Sequence, residues 1–249
     1  MLAGVGLSMA KGGAIIPYPE TIPGLKLWLR YNTGHISEND ETTLGHDIDD
    51  GDRIKEWNDY STNDNPARQL TAADMPLFES DDNSIEFSAN SRWFDLRTSI
   101  GFEDVFTLIM RVKFSSTTND SLFGHSSTDF FRITNNKSFR AKIGGTAQNN
   151  FTESTNVIEA GAGAPYYIIV FQRDSDDNCY VRVHGDVYEN YHWGGAAVSD
   201  SDAFTISNVG CQADDVQEMG GNVKDVLVYE KYLTETQLLS MYTFLDNEG

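Results

Sequence analysis

Phe106-Thr107-Leu108-Ile109-Met110-Arg111-Val112-Lys113-Phe114 is the stretch that decides the fold class. Phe106, Leu108, Met110, Val112 and Phe114 alternate with Thr107, Arg111 and Lys113, so one face is apolar and the other polar, as in a half-buried β-strand. Downstream, residues 166–171 are continuously apolar, the pattern of a central strand covered on both faces. Arg173-Asp174-Ser175-Asp176-Asp177-Asn178 then supplies turn residues before residues 179–184, which makes a hairpin.

The same period extends in both directions. Leu25, Leu27, Leu29 and Tyr31 share one strand face, with Lys26 and Arg30 on the other. Shorter strands are predicted at 130–133, 139–143 and 204–209, and residues 223–230 close the set with the β-branched Val223, Val226 and Val228. One segment reads as helix. Thr234 and Gln237 make a capping box, and Leu233 and Leu238 are placed for a hydrophobic staple. Leu238, Met241, Tyr242 and Leu245 fall on one face, predicting a helix over about 234–246 that packs against the strands. Many strands, polar turns and one terminal helix make the chain all-β, a sandwich or a barrel.

Residues 1–24 differ. Gly4, Gly6, Gly12, Gly13, Pro17, Pro19, Pro23 and Gly24 break regular structure, so this segment is expected to form an extended N-terminal arm ahead of a single domain over 25–249. Leu2, Val5, Leu7, Met9, Ile15 and Ile16 are costly to leave in water, so the arm docks either on the domain or on a neighbouring chain, as an assembly arm.

The chain has 249 residues, 39% hydrophobic and 12% aromatic, enough for a packed core. Its 38 acidic and 18 basic residues give a net charge of -20, which repels phosphate backbones and anionic membrane surfaces and excludes nucleic acid and membranes as partners. Residues 1–10 lack a basic n-region and are too short to span a bilayer, so no signal peptide is expected. Cys179 and Cys211 cannot build a disulfide framework and read as small buried hydrophobes in a reducing compartment.

A series of motifs carries a resemblance. It opens with Ile22-Pro23-Gly24-Leu25-Lys26-Leu27-Trp28-Leu29, continues through Gly51-Asp52-Arg53-Ile54 and Trp57-Asn58-Asp59-Tyr60-Ser61-Thr62-Asn63-Asp64-Asn65, and ends with Asn222-Val223-Lys224-Asp225-Val226-Leu227-Val228-Tyr229 and the terminal helix. In this order the pieces resemble the laminin-G-like or pentraxin-like branch of the concanavalin A-like lectin/glucanase superfamily. Thr62 stands where that family usually has glycine. The resemblance implies an antiparallel two-sheet jelly-roll sandwich. More narrowly, the Met-Leu-Gly-rich start and Lys142-Ile143-Gly144-Gly145-Thr146 resemble virion proteins of tailed bacteriophages, especially those of marine cyanobacteria. That implies a non-catalytic structural protein of the virion surface, present in many copies beside other virion proteins and made in a bacterial cytoplasm. A capsid decoration protein fits best. The alternative is a tail or head-fibre adhesin binding host-surface polysaccharide, and a glycoside hydrolase is the remote third.

Catalytic signals are sparse. The glycosidases of the resembled superfamily carry an E-x-D-x-x-E run, which the chain lacks, and neither residues 79–82 nor Glu103-Asp104 puts two carboxylates on one strand face. A retaining glycosidase needs its pair about 5–5.5 Å apart. The five histidines lie in unrelated segments, without a G-x-S-x-G elbow, and neither H-E-x-x-H nor C-x-x-C is present to bind zinc. No cofactor is expected, calcium being the one metal in question. Asp47, Asp49 and Asp52 offer hard oxygen ligands but miss the EF-hand register, so a solvated turn entering the strand at Arg53 is the plainer account. Asp174, Asp176 and Asp177 are explained by their turn. For carbohydrate, Tyr188, Asn190, Tyr191, His192 and Trp193, with Trp93, combine stacking faces with hydrogen-bonding groups, unless the aromatics only cover a sandwich edge. Trp28 and Trp57 are assigned to packing.

Overall fold

The computed structural model describes residues 18–31, 48–87, 92–135, 137–145, 151, 158–185, 202–213 and 217–247, and the backbone course of 8–9, 15–16, 35–37, 149–150 and 188–197. Among them the chain forms a two-residue hairpin, β1 (Ser8–Met9) with β2 (Ile15–Ile16), and two antiparallel sheets. The first sheet runs, in spatial order, β17 (Tyr188–Ala197), β16 (Asn178–Gly185), β15 (Tyr167–Arg173), β10 (Phe106–Phe114), β19 (Gly221–Tyr229), β8 (Ser84–Phe87) and β7 (Leu77–Glu79). An eighth strand, β3 (Leu25–Arg30), shares the β8 edge of β19: β8 pairs with Gly221–Val223 and β3 with Asp225–Tyr229. The second sheet runs β14 (Asn149–Phe151), β13 (Phe139–Lys142), β12 (Phe130–Ile133), β11 (Ser121–Gly124), β18 (Phe204–Val209), β9 (Phe94–Phe102), β6 (Ala67–Arg68), β5 (Ile54–Trp57) and β4 (His35–Ser37). The fold is an all-β sandwich with one helix, α1 (Glu235–Asn247), on its outside.

Side-chain alternation explains why the sheets face each other. Phe106, Leu108, Met110, Val112 and Phe114 of β10 enter the core between the sheets, together with Tyr167, Ile169 and Phe171 of β15. Phe131, Phe139, Phe204 and Phe94 meet them from the second sheet. Phe171 is the hub: its ring stacks on Phe131 at 4.5 Å between centroids and contacts Phe106, Phe204 and Phe151. The alternate residues point outward. Ile109, Ile168, Val170, Leu227 and Tyr229 form a second core beneath Leu238, Met241, Tyr242, Phe244 and Leu245 of α1. The helix starts as its sequence dictates, because the Thr234 backbone N–H donates to Gln237 Oε1 at 3.0 Å and the Gln237 N–H to Thr234 Oγ1 at 3.4 Å.

Three details differ from the sequence expectation. The register between β19 and β3 shifts at Val228/Tyr229, so Leu25 packs on the helix side with Trp28 instead of joining Leu27 and Leu29. Tyr31 lies under the Lys224 ammonium, 5.4 Å from its ring centroid, and not in the core between the sheets. Residues 18–24 also pack on the domain: Tyr18 meets Phe244 edge-on at 5.4 Å, Ile22 is buried, and the Tyr229 hydroxyl donates to the Pro19 carbonyl. Of the arm residues, Leu2, Val5 and Leu7 lie outside the described residues. Met9 is in β1, and Ile15 and Ile16 form β2, which runs against α1.

Phe171→Ala removes the ring on which both sheets close. A loss of about 3–5 kcal/mol, the usual range for a buried phenylalanine, is expected in denaturant unfolding, whereas Leu70→Ala, at an exposed position, should change stability little.

Candidate functional site

The outer face of the first sheet is apolar only where α1 lies on it. Beyond the C-terminal end of the helix that face is charged, and there a cavity of about 620 Å³ opens. Its floor comes from three neighbouring strands: Arg111 and Lys113 on β10, Ile168 on β15 and Lys224 on β19. Asp246, in the last turn of α1, and Asp82, in the turn before β8, stand at its sides. A tight turn supplies the remaining wall. Gly161 and Gly163 take positive φ angles of 103° and 84°, and the Gly161 N–H donates to the Phe114 carbonyl, which pins Gly163, Ala164, Pro165 and Tyr166 beside the end of β10.

A β-bulge builds the polar floor. Arg111 pairs with Asp225 while the next residue, Val112, pairs with Val223, leaving Lys224 as the extra residue. The Lys224 carbonyl instead accepts the Tyr31 N–H at 2.8 Å. Lys224 therefore sits where the edge of β19 passes from β8 to β3. Across the bulge, Asp225 lies between Arg111 on β10 and Arg30 on β3, so three cations, Arg30, Arg111 and Lys224, share one buried carboxylate. The other acids nearby are engaged: Asp82 pairs with Lys113, and Asp246 with His184 at 2.9 Å. Tyr166 organises the cations, with Lys224 Nζ at 4.8 Å, Lys113 Nζ at 5.3 Å and Arg111 Cζ at 5.8 Å from its ring centroid.

Burial sets the protonation states. Arg111 and Lys224 are each 8% exposed and Asp225 1%. Burial, then the Arg111 charge, lowers the Lys224 ammonium from its ordinary value, and Asp225 only partly restores it. Burial also pushes the Asp225 carboxyl up to about 6, against the pull of Arg111, Arg30 and Lys224. The Tyr166 hydroxyl is pushed up to about 12, so it stays a neutral donor. Arg111 Nη1 is buried without a hydrogen-bond partner among the described residues, and Trp28 stands beside the Asp225 carboxylate as a donor.

Comparison with known proteins fits this architecture. No protein-family model and no curated protein sequence matches the chain. Trypanosoma rangeli sialidase in complex with 2,3-difluoro-KDN matches in structure with a TM-score of 0.55 and 14% identity over 95% of this chain. The binding domain of Paraclostridial Mosquitocidal Protein 1 matches with a TM-score of 0.50 and 11% identity over 89% of this chain. The likeness is one of fold. The chain spans 35% of the sialidase chain and 52% of the clostridial one.

The sequence candidates lie elsewhere. Residues 188–193 belong to the edge strand β17 and not to a loop. Positions 191 and 193 stand opposite Val183 and Val181, both core residues, and position 192 opposite Arg182; the side chains of Tyr188, Asn190, Tyr191, His192 and Trp193 lie outside the described residues. Trp93 is only 7% exposed, because it leads into the core residue Phe94 at the start of β9, so it offers no face for a sugar to stack on. Asp47 is outside the described residues. Asp49 and Asp52 close their own turn, the Asp52 carboxylate accepting the Asp49 N–H, and Asp50 accepts from Ser80. Among the described residues no three His, Cys, Asp or Glu side chains are grouped to hold a metal. Asp174 caps the 174–178 turn, accepting the N–H groups of Asp176 and Asn178. A second cavity of about 530 Å³ lies between that turn and Glu103-Asp104, but its arginine, Arg173, is taken up by Asp177 and the Asp202 carbonyl. Cys179 and Cys211 are buried, and burial pushes the Cys179 thiol up to about 12. Among the described residues no helix is long and apolar enough to cross a membrane.

Sequence reasoning missed Arg111, Lys113, Lys224 and Tyr166. One signal was present: Val223 and Val226 are three apart, an odd spacing on one strand face that marks an extra residue between them.

Asp225 gives the site a pH signature. Its folded-state pKa lies above the ordinary 3.8, so its contribution to stability is complete below about pH 4 and is lost as pH rises through about 6. Relative to an Asp225→Asn variant, the protein should lose about 3 kcal/mol across that window, two units at 1.36 kcal/mol each. Carboxyl ¹³C NMR of Asp225 should show a midpoint near 6.

Proposed function

We propose that this chain is a non-catalytic, lectin-like binding module whose ligand seats in the cavity beyond the end of α1. Arg111 carries the reading. The residue is 8% exposed and lines a cavity of about 620 Å³, and its Nη1 has no acceptor among the described residues. Leaving a buried charged donor unmatched is costly, and a ligand that supplies the acceptor removes that cost. The cavity falls within the usual size range of small-molecule sites, about 300–1,000 Å³. The shared fold supports the reading by analogy alone, since one fold serves many functions. Asp82 and Asp246, the carboxylates at the cavity wall, are held by Lys113 and His184, which favours binding over glycosidic cleavage.

The setting we propose is the outer surface of a tailed-phage virion, where the module is a capsid decoration protein in contact with other virion proteins. Support comes from the resemblance of residues 142–146 and the Met-Leu-Gly-rich start, and from the apolar residues of the arm. On a tail or head fibre the same module is an adhesin for host-surface polysaccharide.

Ala164→Trp places an indole in the cavity mouth. On a glycan array the intact protein should bind at least one class of glycan and the variant at least tenfold less, with unchanged melting. Retention of all binding by the variant, or no binding by the intact protein, removes the support. Deleting residues 1–16 should leave the melting temperature within a few degrees and abolish incorporation into particles; normal incorporation would count against the virion setting.

A further inference from the structure

The geometry points to an anionic saccharide as the ligand of this cavity, with its carboxylate or sulfate group held between Arg111 and Lys224 against the edge of Tyr166. The inference rests on the binding-module reading and names the ligand's chemistry. The charge of the chain makes the site unusual. At -20 overall the protein repels anions, yet here Arg111, Lys113 and Lys224 converge on one ring from two adjacent strands.

The carboxylates of the site are already engaged. Asp225 faces both Arg111 and Lys224, and Asp82 and Asp246 are committed to Lys113 and His184. A guanidinium presents a planar fork that matches a carboxylate or sulfate edge, and a buried ammonium beside it adds a point charge. The Tyr166 hydroxyl, kept neutral by burial and set beside Ser84, is a third polar group at the wall.

A bare inorganic ion would leave most of the cavity empty. Ile168, which stands directly opposite Arg111 across β10 and β15, and Pro165 and Ala164 set aliphatic groups among the cations, against which the C–H face of a sugar ring can lie. Cations with aliphatic groups beside them fit a ring-sized body bearing one oxyanion.

The test is an NMR titration of the full chain with four probes: methyl glucuronide, glucose 6-sulfate, methyl glucoside and inorganic sulfate. Signals of Arg111, Lys224 and Tyr166 report the site. The sugar acids should bind at least tenfold more tightly than methyl glucoside. Lys224→Gln should weaken them about tenfold, Lys224→Arg should restore most of that loss, and Lys113→Gln, at the more exposed rim, should weaken them a few-fold. Methyl glucoside binding as well as the acids, with Lys224→Gln and Lys113→Gln both indifferent, overturns the anion assignment and leaves the binding module standing. Inorganic sulfate binding more tightly than either sugar acid overturns the saccharide. No response to any probe overturns both this inference and the seat on which it rests.

Discussion

β15, flanked by β10, must bury apolar residues on both of its faces, and the rest of the molecule depends on that constraint. The inward residues of the two strands close the sandwich around Phe171, and their outward residues require a cover, which α1 provides. A strand with apolar groups on both sides has no solvated face to fall back on, so helix and second sheet are both conditions of the fold. Thr107 shows how tightly the outer layer is tied in: its hydroxyl donates to the Lys231 carbonyl and accepts from the Leu233 N–H and from Gln172 Nε2, joining β10 to the segment that launches the helix.

Where the helix stops, the same sheet face changes chemistry. The bulge at Lys224 turns two consecutive side chains toward the outer face and coincides with the change of partner from β8 to β3 along β19. The polar floor is thus assembled from strands far apart in the sequence, with Tyr166 delivered by a glycine-hinged turn. Burial is the largest cause of both shifts on this floor, lowering the Lys224 ammonium and raising the Asp225 carboxyl within the same bulge.

The fold was legible because its signals are local. The alternation of 106–114, the apolar run at 166–171 and the Thr234/Gln237 box each specify an element within a few residues. Trp28 and Trp57 proved to be packing residues for the same reason, since both sit inside alternating strands. The site was not legible. Arg111 and Lys113 look like the solvated side of a strand, and only the return of β19, more than a hundred residues later, places Lys224 beside them. Aromatic richness drew attention to 188–193, which form an edge strand, and to Trp93, which is buried beside Phe94.

Asp225 gives the cavity its own counter-ion. Its carboxylate lets Arg111 and Lys224 be buried, so the charged floor is set in the course of folding. Carboxylate and cations meet only through the pairing of β19 with β10 and β3, so a one-residue slip of β19 would scatter the charges and the core residues together.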